Sequence, residues 1–139
     1  MSGVARAGAA APSLFLAFDF GTRRVGVASG NSITHTATPL VTLAQAGDDA
    51  RFAAIGKLIA QWQPAALVVG VPRHPDGAPH DNTRRAQRFA RQLQGRFGLP
   101  VHEVDERYTT TEALATGAPD VDAASATLIL GQYFNEHPR

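Results

Sequence analysis

Leu14-Phe15-Leu16-Ala17-Phe18-Asp19-Phe20-Gly21-Thr22-Arg23-Arg24-Val25-Gly26-Val27-Ala28 is the stretch that decides the fold. A run of large apolar residues ends in one acid. A Gly-Thr turn follows, and a second apolar run begins. The first run has no polar–apolar alternation, which predicts a strand buried on both faces. Gly21 and Thr22 suit a turn, and Val25 and Val27 alternate as a returning hairpin strand would. An acid inside such a strand is costly to bury unless it is paired or holds a metal. Asp19 is therefore either a ligand on a rigid platform or a strand-end acid that accepts hydrogen bonds from the turn amides.

Upstream, Met1 to Pro12 is rich in Ala and Gly, carries one arginine, Arg6, and lacks a sustained apolar stretch. It predicts a disordered N-terminal extension over 1–12 rather than a signal peptide, followed by one domain over 13–139. The full 139 residues suffice for one domain with a real core and are too few for two. No apolar run is long enough to span a bilayer, so no membrane partner is expected. The absence of cysteine excludes thiolate catalysis, disulfides and cysteine-ligated zinc, and is compatible with a cytoplasmic location. The net charge of +1 decides little. Lys57 is the single lysine, so the basic residues are almost all Arg. Arg favours bidentate phosphate contacts, although a genomic composition bias gives the same imbalance.

Downstream of the hairpin, Ile33 to Thr38 is rich in β-branched residues and predicts a third strand beside the second. Pro39 and Leu40 to Leu43 would then lead the chain away. Asp48 is placed to cap a helix whose apolar face is Phe52, Ile55, Ile59 and Trp62, stopped by Pro64. Ala66 to Pro72 predicts another buried strand. Strand, helix, strand in this order implies a right-handed crossover and a parallel pair. The polar loop Arg73 to His80 follows, where α/β proteins place ligands.

A helix is predicted from Asp81 to about Phe97, stopped by Gly98. Ala86, Phe89, Ala90, Leu93 and Phe97 form one stripe. Arg84, Arg88 and Arg91 form the opposite one, flanked by Arg85 and Arg96, and no acid interrupts Arg84 to Phe97. Such a single-sign face suits a phosphate backbone or is simply a soluble surface. Pro100 to Glu106 predicts a shorter strand that ends in two adjacent acids, only one of which can point to a given face. Thr110 or Thr111 is placed to cap a helix from Glu112. After the break at Gly117-Ala118-Pro119, a last helix carries Asp122 in its first turn, as a cap or as a ligand.

Asp19, Glu106 and Asp122 each lie at an element end, and a mixed sheet can bring such ends to one edge. Carboxylates gathered there repel and need a cation. Mg²⁺ (or Mn²⁺) suits oxygen ligands, and one or two such ions can activate water and stabilise the leaving oxygen in phosphodiester cleavage. In that scheme Asp19 bridges, and Glu106 and Asp122 complete the shells. Thr22, Arg23, Arg84, Arg85, Arg88, Arg91 and Arg107 are the candidate contacts to a nucleic-acid backbone.

Phe18-Asp19-Phe20-Gly21-Thr22-Arg23, Val69-Gly70-Val71-Pro72, Asp105-Glu106-Arg107-Tyr108-Thr109-Thr110 and Val121-Asp122-Ala123-Ala124-Ser125-Ala126 together resemble the signature blocks of the bacterial YqgF/RuvX family. These are pre-16S rRNA nucleases by assignment, and are also described as Holliday-junction-resolvase-like. The resemblance runs from about Leu14 to Phe134. It implies an RNase H-like α/β fold: a five-stranded mixed sheet, its first three strands antiparallel, flanked by helices. It also implies cytoplasmic trimming of the 5′ end of the 16S ribosomal RNA precursor, with RNA and ribosomal particles as partners. The acids it carries over are Asp19, Glu106 and Asp122. Two departures stand out: Glu112 to Val121 has no basic residue where the family has a basic segment, and Tyr108 replaces a common aliphatic.

Three other readings share parts of this pattern. Resolution of branched DNA uses the same fold and metal chemistry. An actin-type ATP-binding module uses a similar Asp-x-Gly-Thr hairpin but needs two such domains. A non-catalytic RNase H-like protein would bind nucleic acid without cleaving it. His35, His74, His80 and His102 show no ligand spacing, and the chain does not choose between monomer and homodimer.

Overall fold

The computed structural model describes residues 13–21, 24–44, 47–72, 81–105 and 121–136, with only the backbone of Asp81, Val121 and Asp122. Among these residues the elements are β1 (Leu14–Phe20), β2 (Val25–Asn31), β3 (Thr36–Leu43), α1 (Asp48–Trp62), β4 (Ala66–Val71), α2 (Asp81–Phe97), β5 (Val101–Asp105) and α3 (Val121–Glu136). The strands form one sheet in the order β3-β2-β1-β4-β5. The β1–β2 and β2–β3 pairs are antiparallel, and the β1–β4 and β4–β5 pairs are parallel. The expected mixed five-stranded sheet, with its first three strands antiparallel, is therefore present.

The unbroken apolar runs of β1 and β4 fill the centre of the sheet and the position beside it. Phe15 to Phe18 and all of Ala66 to Val71 are buried. Strand alternation divides the core into two layers. Leu16 and Phe18 of β1 pack with Val25, Val27 and Val69 against Phe52 and Ile55 of α1 and Phe89 and Leu93 of α2. Phe15 and Ala17 pack with Val68 and Val104 against Ile129, Leu130, Tyr133 and Phe134 of α3. Each of these large side chains contributes about 1.5–3 kcal/mol when fully buried. Edge-on ring contacts, Phe18–Phe89 at 6.0 Å and Phe15–Phe134 at 5.7 Å, key the layers together.

The third strand departs from the expectation. Ser32 to His35 form a turn, and β3 runs from Thr36 through Pro39 to Leu43. The Asn31 side-chain oxygen accepts the amides of Ile33 (2.8 Å) and Thr34 (3.3 Å), and His35 takes a left-handed φ of 56°. Ile33 is left 52% exposed. A local side-chain bond thus outcompetes the strand preference of β-branched residues. Pro39 stays within the ladder, opposite Ala28, next to a register shift at Val27/Ala28. It lies on the outermost strand, where a missing amide is tolerated.

The helix ends also refine the expectation. Asp48 is the first helical residue of α1, and the N-cap is Gly47, with no side-chain cap. Asp48 and Asp49 instead act on the positive end of the helix dipole. At the other end Gln63 turns left-handed (φ 49°) and donates its amide to the Ile59 carbonyl at 2.7 Å, directly before Pro64. Gly98 (φ 67°) closes α2 in the expected way. Residues 1–12, the Arg73–His80 loop and the helix expected from Glu112 lie outside the described residues.

The start of α2 is fastened to the end of β4, because the buried Thr83 hydroxyl donates to the Pro72 carbonyl. Thr83→Val keeps the shape and removes the bond. It should lower stability by about 1–2 kcal/mol, read as a lower urea midpoint at unchanged slope.

Candidate functional site

Asp19 sits at the carboxyl end of β1, opposite Gly26 of β2 and Gly70 of β4. It is half-buried and is held by polar contacts. Alternation from Phe15 and Ala17 puts its carboxylate on the α3 face of the sheet. Both flanking strand positions are glycines, so neither neighbour puts a side chain beside it. One residue later the chain must leave the strand. A Cβ at Gly21 would stand 2.6 Å from the Arg24 carbonyl oxygen, so only glycine fits this corner.

β5 ends beside this site. Val104 is opposite Gly70 and belongs to the α3-side core, and the His102 ring lies 5.1 Å from that of Tyr133. His102 and Val104 therefore share the Asp19 face, and Asp105, the residue after Val104, belongs to the opposite face. Of the two adjacent acids, Asp105 thus turns away from the Asp19 face, and Glu106 lies outside the described residues. α3 is tied to this strand end, because Gln132 Nε2 donates to the Asp105 carbonyl at 2.9 Å. Burial raises the Tyr133 hydroxyl above the ordinary phenol range, and its ring packs against Phe15 and Phe134 in the α3-side core.

The other expected residues are placed as follows. Asp122 is the second residue of α3, and its side chain lies outside the described atoms. Glu106, Thr22, Arg23 and Arg107 lie outside the described residues. No group of three His, Asp or Glu side chains gathers among the described residues, a set that contains Asp19 alone of the three expected ligands. What the structure does show fits a hard cation: a carboxylate oxygen donor, at the end of a central strand, with glycines on both sides. Arg84, Arg85, Arg88 and Arg91 are exposed on α2, with Arg84, Arg88 and Arg91 opposite its buried stripe of Ala86, Phe89, Ala90 and Leu93 and Arg85 on the flank.

The sequence reading passed over Arg51. It lies on α1 at 5% exposure, its guanidinium 5.5 Å from the centre of the Phe20 ring. The available signal was its position: Arg51 stands four residues before Ile55, on the apolar stripe itself.

A family model described as "RuvX: Holliday junction resolvase" matches residues 13–136. A protein of Polaromonas sp. strain JS666, assigned as a pre-16S rRNA nuclease, is 65% identical over 124 residues, covering 89% of each chain. One of Albidiferax ferrireducens with the same assignment is 64% identical over 119 residues, covering 86% of this chain and 76% of its own. Among solved structures, Thermus thermophilus RuvC superposes with a TM-score of 0.58 at 13% identity, covering 88% of this chain and 95% of that one. RuvC in complex with a Holliday junction substrate gives 0.57 at 16% identity, with 88% and 94% covered. At such identities the superpositions speak for the fold, which is RNase H-like. With a family model running from the residue before β1 to the last residue of α3, and relatives close to two-thirds identical, the chain belongs to the RuvX family.

Proposed function

We propose that this chain is a metal-dependent nuclease that hydrolyses phosphodiester bonds in the 5′ maturation of precursor 16S rRNA in the cytoplasm. The observation that carries the reading is Asp19, a half-buried acid between two glycines at the carboxyl end of the central strand. The assigned activity of relatives about 65% identical supports the substrate. Asp19, Glu106 and Asp122 are the residues that would hold one or two Mg²⁺ ions. When bound, the metal supplies Lewis-acid activation of water and stabilises the leaving oxygen. Asp19 contributes a fixed carboxylate on a rigid strand, so little reorganisation accompanies substrate binding. The exposed arginines of α2 offer charge for the phosphate backbone.

The family description favours one second reading, a branched DNA substrate. Wild-type protein with Mg²⁺ should cut a precursor 16S fragment faster than a four-way DNA junction. The reverse order would move the substrate to DNA, and cleavage of neither with Mg²⁺ or Mn²⁺ would discard the nuclease. Replacing Arg84 and Arg91 with Gln should weaken RNA binding alike for all sequences. It should also reduce the slope of log K against log salt by about 1.4 for two lost single-strand contacts.

A further inference from the structure

On the face of the sheet opposite Asp19, the first turn of α1 and the middle of α2 enclose a hollow of about 120 Å³. Its floor is aromatic. Phe20 comes up from the end of β1 and packs on Phe89 of α2 at 4.9 Å between ring centres. Its walls are cationic: Arg51 from α1, and Arg85 and Arg88 from α2. Asp48 is the single acid among the lining residues, against three arginines.

Two features give this hollow the chemistry of an anion site. Arg51 is almost wholly buried and stacked over Phe20, which fixes a charge that a surface arginine would leave mobile. Arg85 and Arg88 are exposed, so they can close on a ligand from the solvent side. The α1 terminus beside them carries Asp48 and Asp49 in its first turn, so the arginines and not the helix end supply the positive charge. The hollow has room for a phosphate group and opens to solvent beside Arg85 and Arg88. Planar forks around a tetrahedral oxyanion are the arrangement in which Arg outperforms Lys.

We infer that this hollow is a phosphate subsite, occupied by a backbone phosphate of the strand whose scissile bond lies at Asp19. The strand part of this inference rests on the nuclease reading, whereas the phosphate part does not. Phe20 follows Asp19 directly, and their side chains leave β1 on opposite faces. A phosphate in the hollow therefore lies on the other side of the sheet from the Asp19 carboxylate, and a strand joining the two must run round the carboxyl end of β1. The subsite would hold the substrate away from the cut and fix which phosphodiester reaches Asp19.

The test follows the arginine Nε–H signals of the full chain by NMR with EDTA present. Inorganic phosphate and a short single-stranded RNA are titrated separately. The expected result is a shift of Arg51, Arg85 and Arg88 with both probes, saturating at least about tenfold earlier with RNA. The Arg85→Gln/Arg88→Gln variant should bind that RNA about tenfold more weakly, as the loss of charge-assisted bonds implies. Shifts with phosphate but none with RNA would overturn the strand assignment and leave a small-anion site. No shift with either probe would overturn the subsite itself. Cleavage with Mg²⁺ is scored independently. Protein that cleaves RNA without moving these signals removes only the subsite, and protein that binds RNA here but never cleaves removes only the nuclease.

Discussion

Asp19→Asn should reduce Mg²⁺-dependent cleavage of a precursor 16S fragment by about a thousandfold or more, with the melting temperature almost unchanged. The asparagine keeps the size of the side chain and loses its charge. Asp19 lies at the strand end rather than in its fully buried centre, where Phe15 to Phe18 supply the packing. The fold therefore has little reason to respond. The chemistry has every reason to, because a neutral amide is a poor ligand for a hard divalent ion. A metal's contribution to the transition state is several kcal/mol, and each 1.36 kcal/mol is tenfold in rate. Initial rates, circular-dichroism melts and calorimetric Mg²⁺ titration of the two proteins decide the matter. Wild-type rates in the variant would discard the metal reading. Lost activity together with a collapsed melt would show that Asp19 is structural.

Gly30→Ala should produce the largest loss of stability of any single methyl addition considered for this sheet. Gly30 faces α3, opposite Phe15. A Cβ there would lie 2.5 Å from both the Leu130 Cδ2 and the Thr36 carbonyl oxygen. Leu130 can change rotamer, but the Thr36 oxygen belongs to the backbone of β3 and cannot retreat without parting the β2–β3 ladder. Overpacking of this kind costs about 1–3 kcal/mol, and a backbone clash belongs at the upper end. For a domain of this size that is a fall of roughly 10 °C in melting temperature. Gly131→Ala, one residue from Leu130 on α3, meets nothing within 4 Å and is the matched control. Equal melting temperatures for Gly30→Ala and wild type would show that α3 does not press on β2 as closely as the geometry requires.

The parts of this fold that were legible in the chain are those dictated by burial on both faces. The runs Leu14 to Phe20 and Ala66 to Val71 admit few other readings, and the 3.6-residue stripes of α1 and α2 are similarly unambiguous. The misplaced third strand had a physical cause. Ile33 looks like a strand residue, but the amides of Ile33 and Thr34 are claimed by the Asn31 side chain, so they belong to a turn. Pro39 looked like an exit from the sheet because its tolerance depends on which strand is outermost, a tertiary fact. Asp48 looked like a cap because a helix-starting acid is equally favourable one position later.

Of the three expected acids only Asp19 has its side chain among the described residues, and its place at the end of β1 followed from the same burial pattern. An acid that ends a buried strand stands out, and Asp19 did so. Glu106 was preferred to Asp105 for its place at the strand end; the packing of Val104 and His102 turns Asp105 to the face away from α3, and Glu106 lies outside the described residues. Arg51 stayed hidden because a cation on an apolar helical stripe looks like an interruption until an aromatic ring from a different element comes beneath it.

Pro39 carries one consequence beyond the path of β3. The outer rail of an open sheet invites a foreign strand to dock, since its amides and carbonyls face outward in register. On this rail a proline removes one donor, and the neighbouring irregularity at Val27/Ala28 bends the row. A second copy arriving flank to flank would meet a broken template, so the sheet resists growing into a continuous two-molecule ribbon along β3.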